Sequence, residues 1–272
     1  MKTVISAKVI EDSITQEGKR ITTLQLVYPR FIHSEVMTHR LFSRNASSSR
    51  AIPVAKMIEQ VSTDPAMPIH WGANQPGMQA KAEVSDTAEA RIYWVAAARS
   101  AAIMAEKMHT LGLHKQVANR ILEPYQWIHV VLTATEWDNF FALRDHEDAQ
   151  PEIRELAIQM KLAMAESVPS ILYYGEWHMP YVTGKEVLCS EVFGMGTMIL
   201  CKVSAARSAR VSYLTHDGAK PDIEKDLALF ERLAGGIPLH ASPLEHQATP
   251  GNTDTGNFVG WTQFRKLWEK QV

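Results

Sequence analysis

The stretch THRLFSRNASSSRA, residues 38 to 51, concentrates side chains able to do chemistry. It carries His39, three arginines (Arg40, Arg44, Arg50), Asn45 and four serines (Ser43, Ser47, Ser48, Ser49). Guanidinium groups present planar donor forks that match oxyanions. A small anion, phosphate foremost, is the ligand this donor set suits. The same composition also describes a solvated loop after a helix, so the rest of the chain has to decide.

Two further arginines stand in suggestive places. Arg120 lies in VANRILEP. Arg144 precedes the acidic run Asp145-His146-Glu147-Asp148, where a helix is expected to break. A side chain at such an end can point into a site, or simply pair with its acidic neighbours. His240, His246 and the acidic run raise a metal as an alternative, but their spacing fits no standard ligand motif and none is expected. The two cysteines, Cys189 and Cys201, make neither a disulfide framework nor a zinc site, and a reduced compartment is expected.

These residues need elements to hold them. TVISAKVI and ITTLQLVY read as strands flanking the turn-like QEGK. Pro29 opens a helix through Ile32, Val36 and Met37, and the donor-rich tract follows it. Residues 63 to 82, rich in proline and glycine, form a long loop, and Trp71, Asn74 and Gln75 suggest an ordered lid. Asp86 and Glu89 form a capping-box pattern opening a helix to about Leu111, with Ile92, Val95, Ala98, Ala102 and Met108 expected in the core. WIHVVLTA reads as a buried strand. Thr135 is expected to cap a short helix, and a second runs from about Ala149 to Ser167 with Pro151 in its first turn. TMILCKV is expected to be a strand. Pro221 opens a helix ending at Gly235, and Trp261, Phe264, Leu267 and Trp268 mark a small docking helix.

The chain has 272 residues, 46% of them hydrophobic and 21% charged, which suffices for one large domain or two small ones. A net charge of -2 gives no support for binding polymeric nucleic acid, so any basic site is local. MKTVISAKVIEDS lacks the apolar run of a signal peptide, and no window is long enough to span a membrane. A cytoplasmic protein is expected.

Four segments together resemble the flavin-dependent thymidylate synthase family. Its signature is Arg-His-Arg, seven residues, then Ser; here Thr38-His39-Arg40 and Ser48 keep that spacing. LTATEWDNFFALRDHEDAQPEIRELA resembles the family's Asn, Leu-Arg and Ala-Gln-x-Glu-Ile segment. VANRILEP resembles its Val-Ala-Arg-x-x-Leu-Pro stretch. SAARSARVSY and HASPLEH resemble its Arg-x-x-Arg-Val-Ser and His-x-Thr-Pro-x-Glu-His segments. In the family order this last pair comes first, so the resemblance implies a circular permutation. The chain would open after HASPLEH, and the former N-terminus would be joined through roughly residues 170 to 200.

The resemblance implies a mixed α/β (α+β) single domain over 1-272. Its signature segment is 29-51, its helical segment 86-168, its permuted segment about 196-246 and its docking tail 247-272. It implies a homo-oligomer, a homotetramer in the family, with active sites at subunit interfaces. FAD, reduced by NADPH, would work with methylenetetrahydrofolate to convert dUMP to dTMP. By matched position, Ser48, Ser49 and Arg50 would hold the nucleotide through its phosphate, and Arg120 would reach in from a neighbouring subunit. Arg144 would face the pyrimidine as the catalytic residue. His39, Arg40, Leu41, Asn139, Ser242 and Glu245 would line the flavin site.

The departures are specific. Thr38 replaces the signature's first arginine, and Ala46 an acidic residue. Thr133-Ala134-Thr135 stands where Asn-x-Arg is usual, and Asp148 where His is usual. Most fall on the flavin side. Two alternatives remain open: a hydroxymethylase acting on dUMP or dCMP, and a non-catalytic nucleotide-binding relative.

Overall fold

Strand β1 (Ser6–Thr15) and strand β2 (Arg20–Pro29) form an antiparallel hairpin in this computed structural model, which describes residues 2–193, 196–213 and 222–271. Gly18 closes the hairpin at φ +80°, a conformation that glycine adopts without a Cβ penalty. β2 is central. Ile21, Leu24, Leu26 and Tyr28 are fully buried there, as are Thr22 and Thr23 between them. Strand β3 (Ser43–Ala46), strand β4 (Trp127–Ala134) and strand β5 (Ser170–Leu172) complete a five-stranded sheet of order β3-β4-β2-β1-β5. Among the described residues only the β1–β5 pair of this sheet is parallel. Strand β6 (Ala248–Pro250) and strand β7 (Trp261–Gln263) pair separately.

The helices are α1 (His33–Met37), α2 (Val54–Thr63), α3 (Thr87–Thr110), α4 (Lys115–Ala118) and α5 (Asp138–Arg144). They continue with α6 (Pro151–Ala165), α7 (Gly184–Phe193), α8 (Thr197–Ala209), α9 (Ile223–Ala234) and α10 (Phe264–Trp268). α6 lays Ile153, Leu156, Ala157 and Met160 against Leu24, Leu26, Val130 and Leu132 of the sheet. Each of the larger side chains, Ile153, Leu156 and Met160 among them, contributes about 1.5–3 kcal/mol on full burial. A second core joins α8, α9 and α10 through Leu200, Ala205, Phe230, Phe264 and Trp268. A third joins α2, α3 and Leu122.

Several sequence expectations meet the structure directly. The hairpin, β4, α6 and α9 lie where expected, and the Asp86 carboxylate accepts from Glu89 N at 2.8 Å as a helix cap. TMILCKV, expected as a strand, is instead the first half of α8. Its apolar run is short enough to suit either state. The alanine-rich SAARSA continues it as a helix, and burial against α9 and residues 242–245 settles the choice. α3 buries only Ala98, Ala102 and Ala105, while Ile92 and Tyr93 are each 65% exposed, so the expected core role holds for one narrow face. The cap of α5 is Trp137 rather than Thr135, whose hydroxyl accepts from Val259 N. Pro221 lies outside the described residues; Asp222 caps α9.

His246 is buried against the sheet. Its Nδ1 is 2.8 Å from Thr133 Oγ1, which meets Thr23 Oγ1 at 2.6 Å, and Thr23 in turn meets His178 Nε2 at 2.8 Å. Burial pushes both histidines down to about 3, so this chain across the sheet is neutral. Among the described residues no group of His, Cys, Asp and Glu is placed to hold a metal ion, and no helix is long and apolar enough to cross a membrane.

Candidate active site

β4 acts as the rail on which the donor-rich tract is mounted. β3 pairs with it at Asn45↔Val131, and Ser47 N extends the ladder to His129 O at 2.8 Å. The chain then turns, with Ala51 N on Ser48 O at 2.9 Å. The buried Asn119 amide donates to Ser49 O and Ile52 O at 2.7 and 3.0 Å, and Lys115 Nζ donates to Ala51 O at 2.9 Å. Residues 48 to 52 are therefore anchored from the segment before β4. From the other side, the 3-10 turn Ser242–Glu245 packs against β3.

Between these parts lies a cleft of about 600 Å³. Arg44, Ser48, Arg50, His114, Lys115, His240 and Ser242 line it, and among the described residues no aspartate or glutamate does. Such a wall of cations and hydroxyls favours a ligand with several negative oxygens. Ser48 Oγ accepts from Arg50 N at 3.2 Å, and the exposed Arg50 guanidinium has no partner among the described residues.

The other expected nucleotide contacts are turned elsewhere. Ser49 is buried and donates to Glu123 Oε1 at 2.8 Å. Arg120 is exposed and meets the same oxygen at 2.9 Å, and Arg30 Nη2 meets it at 3.1 Å. Glu123 thus holds two arginines and a serine beside the turn. Neither Ser49 nor Arg120 lines this chain's cleft. The 63–82 loop contributes no residue to it either.

A second cluster gathers around His39. Arg144, the last residue of α5, donates from Nε to His39 Nε2 at 3.0 Å and lies 3.4 Å from Thr38 Oγ1 through Nη2. The acidic run does not capture it: Asp145 pairs with Lys161 at 2.6 Å, and Asp148 lies 3.8 Å from His146. Partial burial pushes the His39 pKa down, and the nearby Arg144 and Arg44 push it further. Met37, Leu41 and Leu143 are exposed apolar side chains in the same three segments. Arg40 and Asn139 are exposed, with no side-chain partner among the described residues. Glu245 is ion-paired to Arg265, and Ser242 faces the cleft.

Sequence reasoning missed His114, Lys115, Asn119, Glu123 and the cleft role of His240. The available signal was proximity to VANRILEP and HASPLEH, both already singled out.

Residues 20–170, more than half of the chain, match the family profile described as Thy1, thymidylate synthase complementing protein. The chain belongs to the Thy1 family. Its fold is similar to that of a UMP/dUMP methylase, PolB from Streptomyces cacaoi, solved with 5-Br dUMP. The TM-score is 0.51 at 15% identity, covering 61% of this chain and 91% of that one. The same enzyme solved with 5-Br UMP aligns with a TM-score of 0.49 and 17% identity, over 61% and 90% of the two chains. No curated protein matches the sequence. Both halves of the site, the turn at Ser48 and the His39–Arg144 cluster, lie within the Thy1 match.

Proposed function

We propose that this Thy1-family chain transfers a one-carbon unit from methylenetetrahydrofolate to a pyrimidine deoxynucleotide, converting dUMP to dTMP with FAD and NADPH. One observation carries the reading: the signature tract builds a cleft lined by cations and hydroxyls, with no acid among the described residues. The nucleotide phosphate sits there on Ser48 and Arg50, with Lys115, His240 and Ser242 around it. Ser49 shapes the turn from behind. Arg144 faces the pyrimidine ring, where an always-charged planar fork stabilises the negative charge that develops as the ring is activated.

The surroundings of His39 fit a flavin. Met37, Leu41 and Leu143 offer apolar surface for a planar ring, and Arg40 and Asn139 offer uncommitted donors for its polar edge and anionic tail. FAD bound there supplies the reducing equivalents, drawn from NADPH, that bring the transferred carbon to a methyl group. Within this reading Glu245 contributes through Arg265 and Arg44 rather than by free contact, because its carboxylate is already paired.

Two features of organisation belong to the same reading. The element order is circularly permuted, supported by residues 242–245 packing on β3 beside the signature. The active form is a homotetramer in which Arg120, turned outward here, reaches the cleft of a neighbouring subunit.

The test is mass spectrometry of the nucleotide after incubation with dUMP or dCMP, methylenetetrahydrofolate, FAD and NADPH. dTMP is the expected product. A hydroxymethylated product, or conversion of dCMP alone, would replace the methylation reading with the neighbouring enzyme. Tight dUMP binding without conversion would make the chain a nucleotide-binding relative.

A further inference from the structure

We propose that Thr38 and His39 form a two-point dock that positions Arg144, and that the dock holds only while His39 carries no proton on Nε2. The inference rests on the reading of Arg144 as the residue facing the pyrimidine, and adds two positioning residues to it.

The hydrogen bonding fixes the chemistry. An arginine Nε–H only donates, so His39 Nε2, 3.0 Å away, accepts. The ring is then neutral, with its proton on Nδ1. Thr38 Oγ1 spends its hydrogen on Glu35 O at 2.6 Å, so a lone pair faces Arg144 Nη2. Together they hold one edge of the guanidinium, and Nη1 has no partner among the described residues. Phe42 stacks on His39 at 5.8 Å between centroids and Phe140 meets it edge-on at 4.8 Å, which limits rotation of the ring. A reacting group held on a rigid support loses little freedom at the transition state.

This gives the departure at Thr38 a consequence. Arginine at that position would set a second cation against Arg144. Threonine sets an acceptor there instead.

The charged groups that face His39 are Arg144 from α5 and Arg44 from β3, both cations. Arg44 donates to His39 O at 3.1 Å and so remains in place. Protonating His39 turns its acceptor into a donor and adds positive charge next to Arg144, which expels the guanidinium. The sign follows: the dock is intact above the ordinary histidine range and opens as pH falls below it.

Two measurements test this. In purified protein, ¹⁵N NMR at neutral pH is expected to show His39 as the Nδ1–H tautomer and a protected Arg144 Nε–H, both lost together on acidification. In turnover assays, His39→Leu and Thr38→Arg should each lower kcat by up to about 10²-fold, as for a misplaced catalytic group, with nucleotide KM changed far less. His39→Gln keeps a side-chain acceptor that does not titrate. It should recover much of the loss and remove the acid limb of the kcat profile. A proton on Nε2 at neutral pH, or an unchanged acid limb in His39→Gln, would overturn the dock. Wild-type protein with the expected NMR signature but no turnover would count against the methylation reading and leave the dock standing.

Discussion

Two arginine-bearing segments of this chain look alike in sequence and differ in what they do with their charge. SAARSARVSY places Arg207 and Arg210 on and just after α8. Arg207 is 6% exposed; it meets Asp226 at 2.8 Å, Glu186 at 2.6 Å and Tyr181 O at 2.8 Å. Arg210 meets Asp226 at 2.5 Å. These guanidinium groups tie α7, α8 and α9 together. RNASSSRA instead leaves Arg50 at the edge of a cleft that no acid lines among the described residues, and none of these pairs with its guanidinium. Arginine density alone therefore does not mark a binding site. A nearby carboxylate decides whether the charge is spent inside the fold.

The sharpest way to break that contrast is to remove a guanidinium from each side. Arg207→Ala should lower folding stability by about 3–5 kcal/mol, because buried Asp226 would be left under-compensated and partly buried Glu186 would lose its partner. Nucleotide affinity per folded molecule should stay unchanged. Urea unfolding monitored by circular dichroism checks this, and a loss below about 1 kcal/mol would place the buried network among dispensable ion pairs.

Arg144 lies between the two classes, since it is held by neutral acceptors rather than by a carboxylate. Arg144→Ala should slow the chemical step by roughly 10²–10³, the loss typical of one oxyanion donor, with nucleotide binding less affected. Lysine should recover little, lacking the planar fork. Single-turnover kinetics at saturating nucleotide would show a near-normal step if the arginine were only structural.

The same division explains what the sequence reveals. The hairpin and β4 are legible because apolar and β-branched residues dominate TVISAKVI, ITTLQLVY and WIHVVLTA, with turn-like QEGK between the first two. α9 is legible because Ile223, Leu227 and Phe230 share one face. α8 is not, because it is buried along most of its length and so loses the polar stripe that signals a helix. β3 is hidden as well: Ser43-Arg44-Asn45-Ala46 has no strand character, and only pairing with β4 makes it one. At the site, the donor tract and Arg144 can be read from residue type and position. Glu123 and Asn119 cannot, because their work is to accept from Ser49 and to brace the turn, contacts that arise only when the segment before β4 folds against it.

Arg50→Ala should weaken nucleotide binding by about 1.5–3 kcal/mol, the range for a hydrogen bond to a charged group. Stability should barely change, since no partner is left behind. Because the guanidinium is exposed, the wild-type advantage should shrink as salt rises. Calorimetric titration of dUMP at two ionic strengths measures both effects, and equal affinities would move the phosphate elsewhere in the cleft.

Arg120 offers the smallest and most discriminating test. It is exposed and paired to Glu123 at 2.9 Å, an oxygen that also receives Ser49 and Arg30. Removing it leaves Glu123 compensated, so Arg120→Ala should cost about 1 kcal/mol of folding stability or less. On the reading that subunits share their sites, the same side chain also reaches a neighbour's nucleotide. Its loss should then weaken dUMP binding at protein concentrations where the oligomer persists, and do nothing where dilution has produced monomers. A charge that serves only Glu123 predicts no effect on binding at any concentration. Titrations above and below the assembly midpoint separate the two, and place Arg120 either with the internally spent arginines or with Arg50.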